Sequence, residues 1–280
     1  MLRFRHAFPA FPARFMSLEA ILASSKAIVG MVHLEPLPGS PRWAGSMKEV
    51  TRAALADAHA LAEGGVDAIL VENFGDVPFS PGRVDPACVA AMAAVATEIR
   101  GAVSLPLGIN ALRSDAVSAL AIATAVGARF IRVNVHTGAV VSDQGILASG
   151  AHETLRYRRL LDASVALFAD VQTKHAAPLA AVAIEHEARD CVHRGLADGL
   201  IVSGEATGLP PKTSDLERVR LAVPDVPLLV GSGASPENAA DLLALADCLI
   251  VGTSVKRDGV VTNRVDPDRV RALVRAAGRR

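Results

Sequence analysis

The sequence predicts a (β/α)8 barrel, eight parallel strands closed on themselves and ringed by helices. Two observations carry this. Eight short runs rich in Val, Ile and Leu alternate with eight Ala-rich stretches whose apolar residues recur at helical spacing. Four of the runs also share a grammar: "GGVDAILVEN" (64–73), "GARFIRVN" (127–134), "GLADGLIVSG" (195–204) and "LADCLIVGT" (245–253). Three of these place an aspartate (Asp67, Asp198, Asp247) just before a run that is apolar on both faces, as a strand covered by helices must be. A doubly wound open sheet is the alternative, but no G-x-G-x-x-G follows an early strand.

Taken in order, the first strand falls at 27–33 and the second in 64–73. The third falls at 104–109, the fourth in 127–134 and the fifth at 166–171. The sixth lies in 195–204, the seventh at 226–231 and the eighth in 245–253. Helices are predicted at 46–64, 86–100, 114–126, 151–163, 179–195, 214–222, 236–245 and 267–277. Ser46, Asp85, Ser114, Ser214, Ser235 and Asp266 supply N-caps, because a short polar side chain can accept from the open N–H groups of a first turn. Gly65, Gly127 and Gly195 sit where left-handed C-caps belong. The barrel domain therefore runs over 27–280. Residues 1–26 stand apart: they begin with three Arg and two Pro within "MLRFRHAFPAFPARF" and no acid before Glu19. They read as a disordered or over-called start, with Met16 an alternative initiator, or as a transit peptide.

Composition excludes several classes. Lys+Arg and Asp+Glu balance at 29 each, and Tyr and Trp occur once each, so neither a global field nor aromatic platforms point to nucleic acid. Cys88, Cys191 and Cys248 are scattered and odd in number, which argues against a disulfide framework or a cysteine zinc site. No charge-free stretch is long enough to span a bilayer. The expectation is a soluble cytoplasmic protein, with a homo-oligomer left open.

Barrel enzymes build their sites from the loops that follow the strands. In this sequence polar residues gather there: His33 and Glu35, then Glu72 and Asn73, Asn110, Asn134 and His136. Asp170, Gln172, Lys174 and His175 follow the fifth strand, and Ser203, Glu205 and Thr207 the sixth. The last two strands end in small residues instead: "LLVGSGASPENAA" (228–240) carries Gly231, Ser232 and Gly233, and "LIVGTSVKRDG" (249–259) carries Gly252, Thr253, Ser254 and Lys256. Small residues let a ligand approach backbone N–H groups, and two such turns in the last two units predict a phosphate site.

These stretches together resemble the BtpA/SgcQ family. The resemblance rests on "GMVHLEPLPGSP" (30–41), "GGVDAILVENFGDVPF" (64–79), "RVNVHTGAVVSDQGIL" (132–147), "ADVQTKHA" (169–176), "SGEATG" (203–208), "VGSGASPEN" (230–238) and "VGTSVKRDG" (251–259). It implies a ribulose-phosphate-binding-like barrel. The family takes its name from a cyanobacterial member linked to stable photosystem I and peripheral thylakoid association, which implies an assembly role as an alternative to catalysis. Other members sit beside sugar-uptake genes, which implies carbohydrate metabolism. The resemblance assigns no catalytic residues.

Roles are therefore inferred from chemistry. Lys174, desolvated at a barrel mouth, is a Schiff-base nucleophile or base, or else an anion anchor or surface lysine. Asp170, Gln172 and Lys174 share strand parity, so His175 should point away if the strand continues past Val171. Glu72 is a general base, or else the partner of a cation. His33 and Glu35 form a base with its orienter, or His33 caps the core. Asn110, Asn134 and Glu205 join the substrate site. His33, Glu72, His136, Asp170 and His175 are the conceivable metal ligands, but no H-E-x-x-H occurs. No metal or cofactor is assigned, although Mg2+ bridging a phosphate, or a metal-dependent hydrolase, stays open. The segment 135–147 reads as a lid, an oligomer contact or a surface hairpin. The expected function is isomerase or lyase chemistry on a phosphorylated sugar or nucleotide-like molecule.

Overall fold

β1 (Ala27–His33) is buried along six of its seven residues, and it pairs on one side with β2 (Ala68–Glu72) and on the other with the last strand, β11 (Cys248–Val251). That double pairing closes the sheet. In chain order the other elements are α1 (Met47–Gly64), α2 (Pro86–Ala102), β3 (Leu107–Asn110), α3 (Ala116–Val126) and β4 (Phe130–Val133). They continue with β5 (Ala139–Ser142), β6 (Gly145–Ala148), α4 (Ala151–Leu160), β7 (Ala166–Val171), β8 (Ala176–Pro178) and α5 (Ile184–His193). The chain ends in β9 (Gly199–Val202), α6 (Thr213–Ala222), β10 (Leu228–Val230), α7 (Ala239–Leu245), β11 and α8 (Pro267–Ala276). The structure, a computed structural model, describes residue 24 and residues 26–278. The expected N-terminal extension lies outside the described residues apart from Ser24 and Lys26. Around the ring the strands run β1-β11-β10-β9-β7-β4-β3-β2, all parallel, a closed eight-stranded barrel ringed by eight helices.

The repeated aspartates staple the barrel floor. Asp67 Oδ2 accepts from Ile28 N (2.7 Å), Asp198 Oδ2 from Leu167 N (2.8 Å) and Asp247 Oδ2 from Leu228 N (2.9 Å). Each thus ties the start of its own strand to a neighbouring strand. Ser46 and Asp266 cap α1 and α8 with their side chains, and Gly65 and Gly127 take the left-handed conformation after α1 and α3. Four caps differ from expectation, the first being that Asn238 rather than Ser235 occupies the N-cap of α7. Asp115 rather than Ser114 accepts at the start of α3, Lys212 rather than Ser214 occupies the N-cap of α6, and Leu196 rather than Gly195 takes positive φ after α5.

Segment 135–147 folds as a hairpin, β5 against β6, which β8 extends to a three-stranded antiparallel sheet. The pairing of β8 delays the fifth helix, expected from 179, to Ile184. Inside the barrel, Phe130 and Phe168 meet with ring centroids 5.3 Å apart. A Cβ on Gly108 would sit 2.1 Å from the Phe130 ring, so glycine there makes room for the aromatic plug. No helix among the described residues is long and apolar enough to cross a membrane.

Candidate active site

Side chains of a strand alternate between the barrel interior and the helices, and this alternation builds the site. Val29 and Met31, Leu70, and Phe168 fill the interior. One step further along the same faces come His33, Glu72 and Asp170, at the C-terminal ends of β1, β2 and β7. Above them lies a cavity of about 330 Å3 whose floor includes Met31 and Ile250. Its walls hold His33, Glu72, Arg113, Arg132, Asn134, Lys174 and His175 on one side, and the segments 231–235 and 252–254 on the other.

His33 Nε2 lies 3.8 Å from Glu72 Oε1, and the imidazole stacks on Phe74 at 4.4 Å. Burial, reinforced by Lys256 and Lys174, holds the His33 imidazolium pKa down at about 3. Burial pushes the Glu72 carboxyl up from its ordinary value, against the pull of Arg132 and Lys174. With the imidazole held neutral and the carboxyl pKa raised, this contact is not an ordinary salt bridge, and at 3.8 Å it is too long for a hydrogen bond. Glu35, expected to orient His33, instead accepts from Arg264 at 2.8 Å; the carboxyl group facing His33 is Glu72.

β7 ends at Val171, and Gln172 and His175 both take positive φ (51° and 57°). Strand parity therefore stops there. The turn brings Lys174 and His175 to the same cavity; His175 was expected to point away only if the strand continued past Val171, and it does not. His175 Nε2 meets Thr207 Oγ1 at 3.0 Å. Burial and the nearby Arg132 charge lower the Lys174 ammonium pKa to about 8. About a tenth of this lysine is then free amine at pH 7, far more than for an ordinary lysine. Competitive acylation followed by peptide mapping should give Lys174 a reactivity midpoint near pH 8, rising with pH as the amine loses its proton. A midpoint above 10 would show an ordinary solvated lysine.

Asp170 is held on several sides. Arg132 clamps it through two bonds (Nε–Oδ1 2.9 Å, Nη2–Oδ2 3.0 Å), and Asn134 Nδ2 and Thr173 Oγ1 donate to the same carboxylate. Asn110 lies in the same network, giving hydrogen bonds to Arg132 O and Asn134 Oδ1, and it does not line the cavity. Asn134 does. Asp170 and Asn110 thus hold up the cavity floor.

Both glycine turns reach the cavity. Gly233 takes φ 73°, and a Cβ there would lie 2.0 Å from Pro210 N, so the turn after β10 needs glycine for both its conformation and its closeness to the neighbouring loop. Among the described residues, the N–H groups of Ser232, Gly233 and Ala234 take part in none of the hydrogen bonds that hold this turn. The Ser232 hydroxyl is occupied, accepting from Gly204 N (3.0 Å) and donating to Leu209 O (2.8 Å); only its backbone is open to a ligand. Across the gap, Ser254 Oγ is buried without a partner beside Gly252 and Thr253. Lys256, expected near the phosphate, turns away and donates to Asp57 Oδ2 of α1 at 2.9 Å. Glu205, expected to bind substrate, is exposed, paired with Lys212 at 3.2 Å, and outside the cavity.

Sequence reasoning missed Arg132, Arg113 and the aromatic wall of Phe74 and Phe79. Arg132 was within reach, since it shares strand parity with Phe130 and Asn134. Arg113 carries no such signal, because it lies in an irregular loop after β3. Among the described residues no three His, Cys, Asp or Glu side chains gather as a metal ligand set.

Fold and cavity together define a (β/α)8 barrel with an enzyme-like pocket at the C-terminal mouth of its strands. The chain belongs to the BtpA family, whose profile matches residues 24–279. It is similar to the photosystem I biogenesis protein BtpA of Synechocystis sp., at 48% identity over 261 residues, 93% of this chain and 91% of that protein. It is also similar to a protein of Thermococcus kodakarensis, at 49% identity over 254 residues (90% and 95%). Among solved structures it resembles thiamine phosphate pyrophosphorylase from Pyrococcus furiosus, with TM-score 0.55, 14% identity, and 92% and 98% of the two chains covered. N-(5'-phosphoribosyl)anthranilate isomerase from the same organism matches with TM-score 0.53, 15% identity and 90% and 98% coverage. At such identities these two likenesses are of fold.

Proposed function

We propose that this protein is an enzyme of isomerase or lyase type that acts on a phosphorylated small molecule. The observation that carries the reading is that one cavity joins a desolvated lysine to two backbone turns suited to an anion. The phosphate would sit against the N–H groups of 232–234 and the turn 252–254, leaving the rest of the ligand between Lys174 and the His33–Glu72 pair. As free amine, Lys174 takes a proton from a carbon beside a carbonyl; alternatively it adds to that carbonyl, and loss of water gives an imine. Glu72, its carboxyl pKa raised by burial, gives a proton to the developing oxyanion and takes one back from the neighbouring hydroxyl as the new carbonyl forms, while the Lys174 ammonium returns the abstracted proton to the adjacent carbon; neutral His33 lines the site beside Glu72. Two fold neighbours, a thiamine phosphate pyrophosphorylase and an N-(5'-phosphoribosyl)anthranilate isomerase, support the class through their names alone.

The test is thermal stabilisation by a panel of phosphorylated sugars and nucleotides, each beside its unphosphorylated partner. A ligand at one hundred times its dissociation constant adds about 2.7 kcal/mol of stability. Stabilisation by phosphorylated members alone is the expected result. A flat panel at millimolar concentration would overturn the proposal and favour a non-catalytic assembly factor, the role named for the Synechocystis relative.

A further inference from the structure

We infer that the cavity takes a ligand with two anionic ends, a phosphate at the glycine turns and a carboxylate at Arg113. The inference rests on the phosphate reading above and narrows its substrate class to phosphorylated acids.

Two guanidinium groups line the cavity, and they differ in one respect. Arg132 has Asp170 as its counter-ion. Arg113 is 95% buried (5% exposed) and, among the described residues, has no carboxylate within 4 Å. Its Nη2 donates to the backbone oxygen of Lys174 (2.5 Å) and weakly to Thr173 Oγ1 (3.4 Å), and its Nε is buried with no partner at all. Burial opposes the Arg113 charge more than Asp170, Glu72 and Asp143 offset it from a distance, and an anion arriving from the cavity side would add the direct partner it lacks. The two bonds to the 173–174 turn hold the guanidinium in place before any ligand binds.

Strand order and the two bonds to the 173–174 turn fix where this charge stands. Arg113 follows β3, four strands from β10 in a ring of eight, but its guanidinium reaches to the 173–174 turn after β7, so the charge enters the cavity beside Lys174, with β9 between that turn and the first glycine turn. β1 and β7 are likewise four strands apart, which sets His33 opposite the turn that carries Lys174. A ligand reaching from the first glycine turn to the Arg113 guanidinium therefore passes Lys174, with His33 on the opposite wall. The Arg113 end suits a carboxylate better than another phosphate. It offers one guanidinium and no open helix N-terminus, because the Asp115 side chain already takes the N–H groups of Ser118 and Val84. A planar fork with few further donors matches a planar monoanion.

The experiment compares matched probes by titration calorimetry. These are 3-phosphoglycerate and 6-phosphogluconate, their phosphate-only counterparts glycerol 3-phosphate and glucose 6-phosphate, and the carboxylates glycerate and gluconate. For at least one pair, the wild-type protein should bind the phosphorylated acid roughly tenfold tighter than its phosphate-only counterpart. Arg113→Met should erase that preference and leave the affinity for the phosphate-only compound within about twofold of wild type. Arg113→Lys, which keeps the charge and loses the fork, should retain only part of it and serves if the methionine variant does not fold. Equal affinities in the wild type, or a preference that survives both substitutions, would overturn the inference and leave the phosphate reading standing. Carboxylates that bind through Arg113 with no gain from a phosphate would sustain the Arg113 site and overturn the phosphate reading. No binding by any probe would overturn both.

Discussion

Asp170→Ala should destabilise the protein by about 3–5 kcal/mol, the usual consequence of removing one partner of a buried ion pair. Arg132 is 3% exposed, so its charge cannot turn to water when the carboxylate goes. Asn134 Nδ2 and Thr173 Oγ1 lose their acceptor in the same stroke. Thr173 precedes Lys174, so the turn that carries the reactive amine loosens as well. Urea unfolding measures the loss, and a shift under about 1 kcal/mol would show that water reaches Arg132 after all. Replacing both partners, Arg132→Met with Asp170→Leu, should cost less than Asp170→Ala alone, because no buried charge is then left unpaired.

The second large effect lies behind the site. Asp57, on α1, accepts from Lys256 Nζ (2.9 Å) and from Val265 N (2.8 Å), with Arg264 Nη1 3.6 Å away. Lys256 is 1% exposed, so Asp57→Ala strands a buried ammonium and should again cost about 3–5 kcal/mol. Its consequence for binding differs from that of Asp170→Ala. Asp57 fastens both ends of the segment 256–265, which follows the second glycine turn directly. Releasing it should weaken phosphate binding as well as stability. Denaturation combined with phosphate titration separates the two, and full stability in Asp57→Ala would remove the clamp from the description.

The sequence was most informative where its patterns are local and periodic. Eight apolar runs punctuated by helical stretches are enough to give the barrel, and Ser46, Asp266, Gly65 and Gly127 mark helix ends because caps depend on immediate neighbours. The glycine turns and Lys174 could be placed at the mouth for the same reason: chain order fixes which loops follow strands. Pairings between distant residues were not legible. Lys256 was read with the phosphate turn it follows, but its partner Asp57 is 199 residues earlier. Asp170 stood in a row of reactive residues, and only the neighbouring strand shows that Arg132 claims it. The positive φ at Gln172 and His175 ended the parity rule at Val171, and where the strand would stop, which decided the side of His175, was not legible. Glu205 obeyed the strand-end rule and still faces solvent, because polarity at a loop does not specify direction.

The most direct test is a crystal structure of the protein grown with a phosphorylated sugar at millimolar concentration. The phosphate should lie against the N–H groups of 232–234 and the turn 252–254, with the ligand's carbon chain reaching between Lys174 and His33. A phosphate bound elsewhere, or a cavity still without ligand at that concentration, would contradict the assignment of the glycine turns as an anion site.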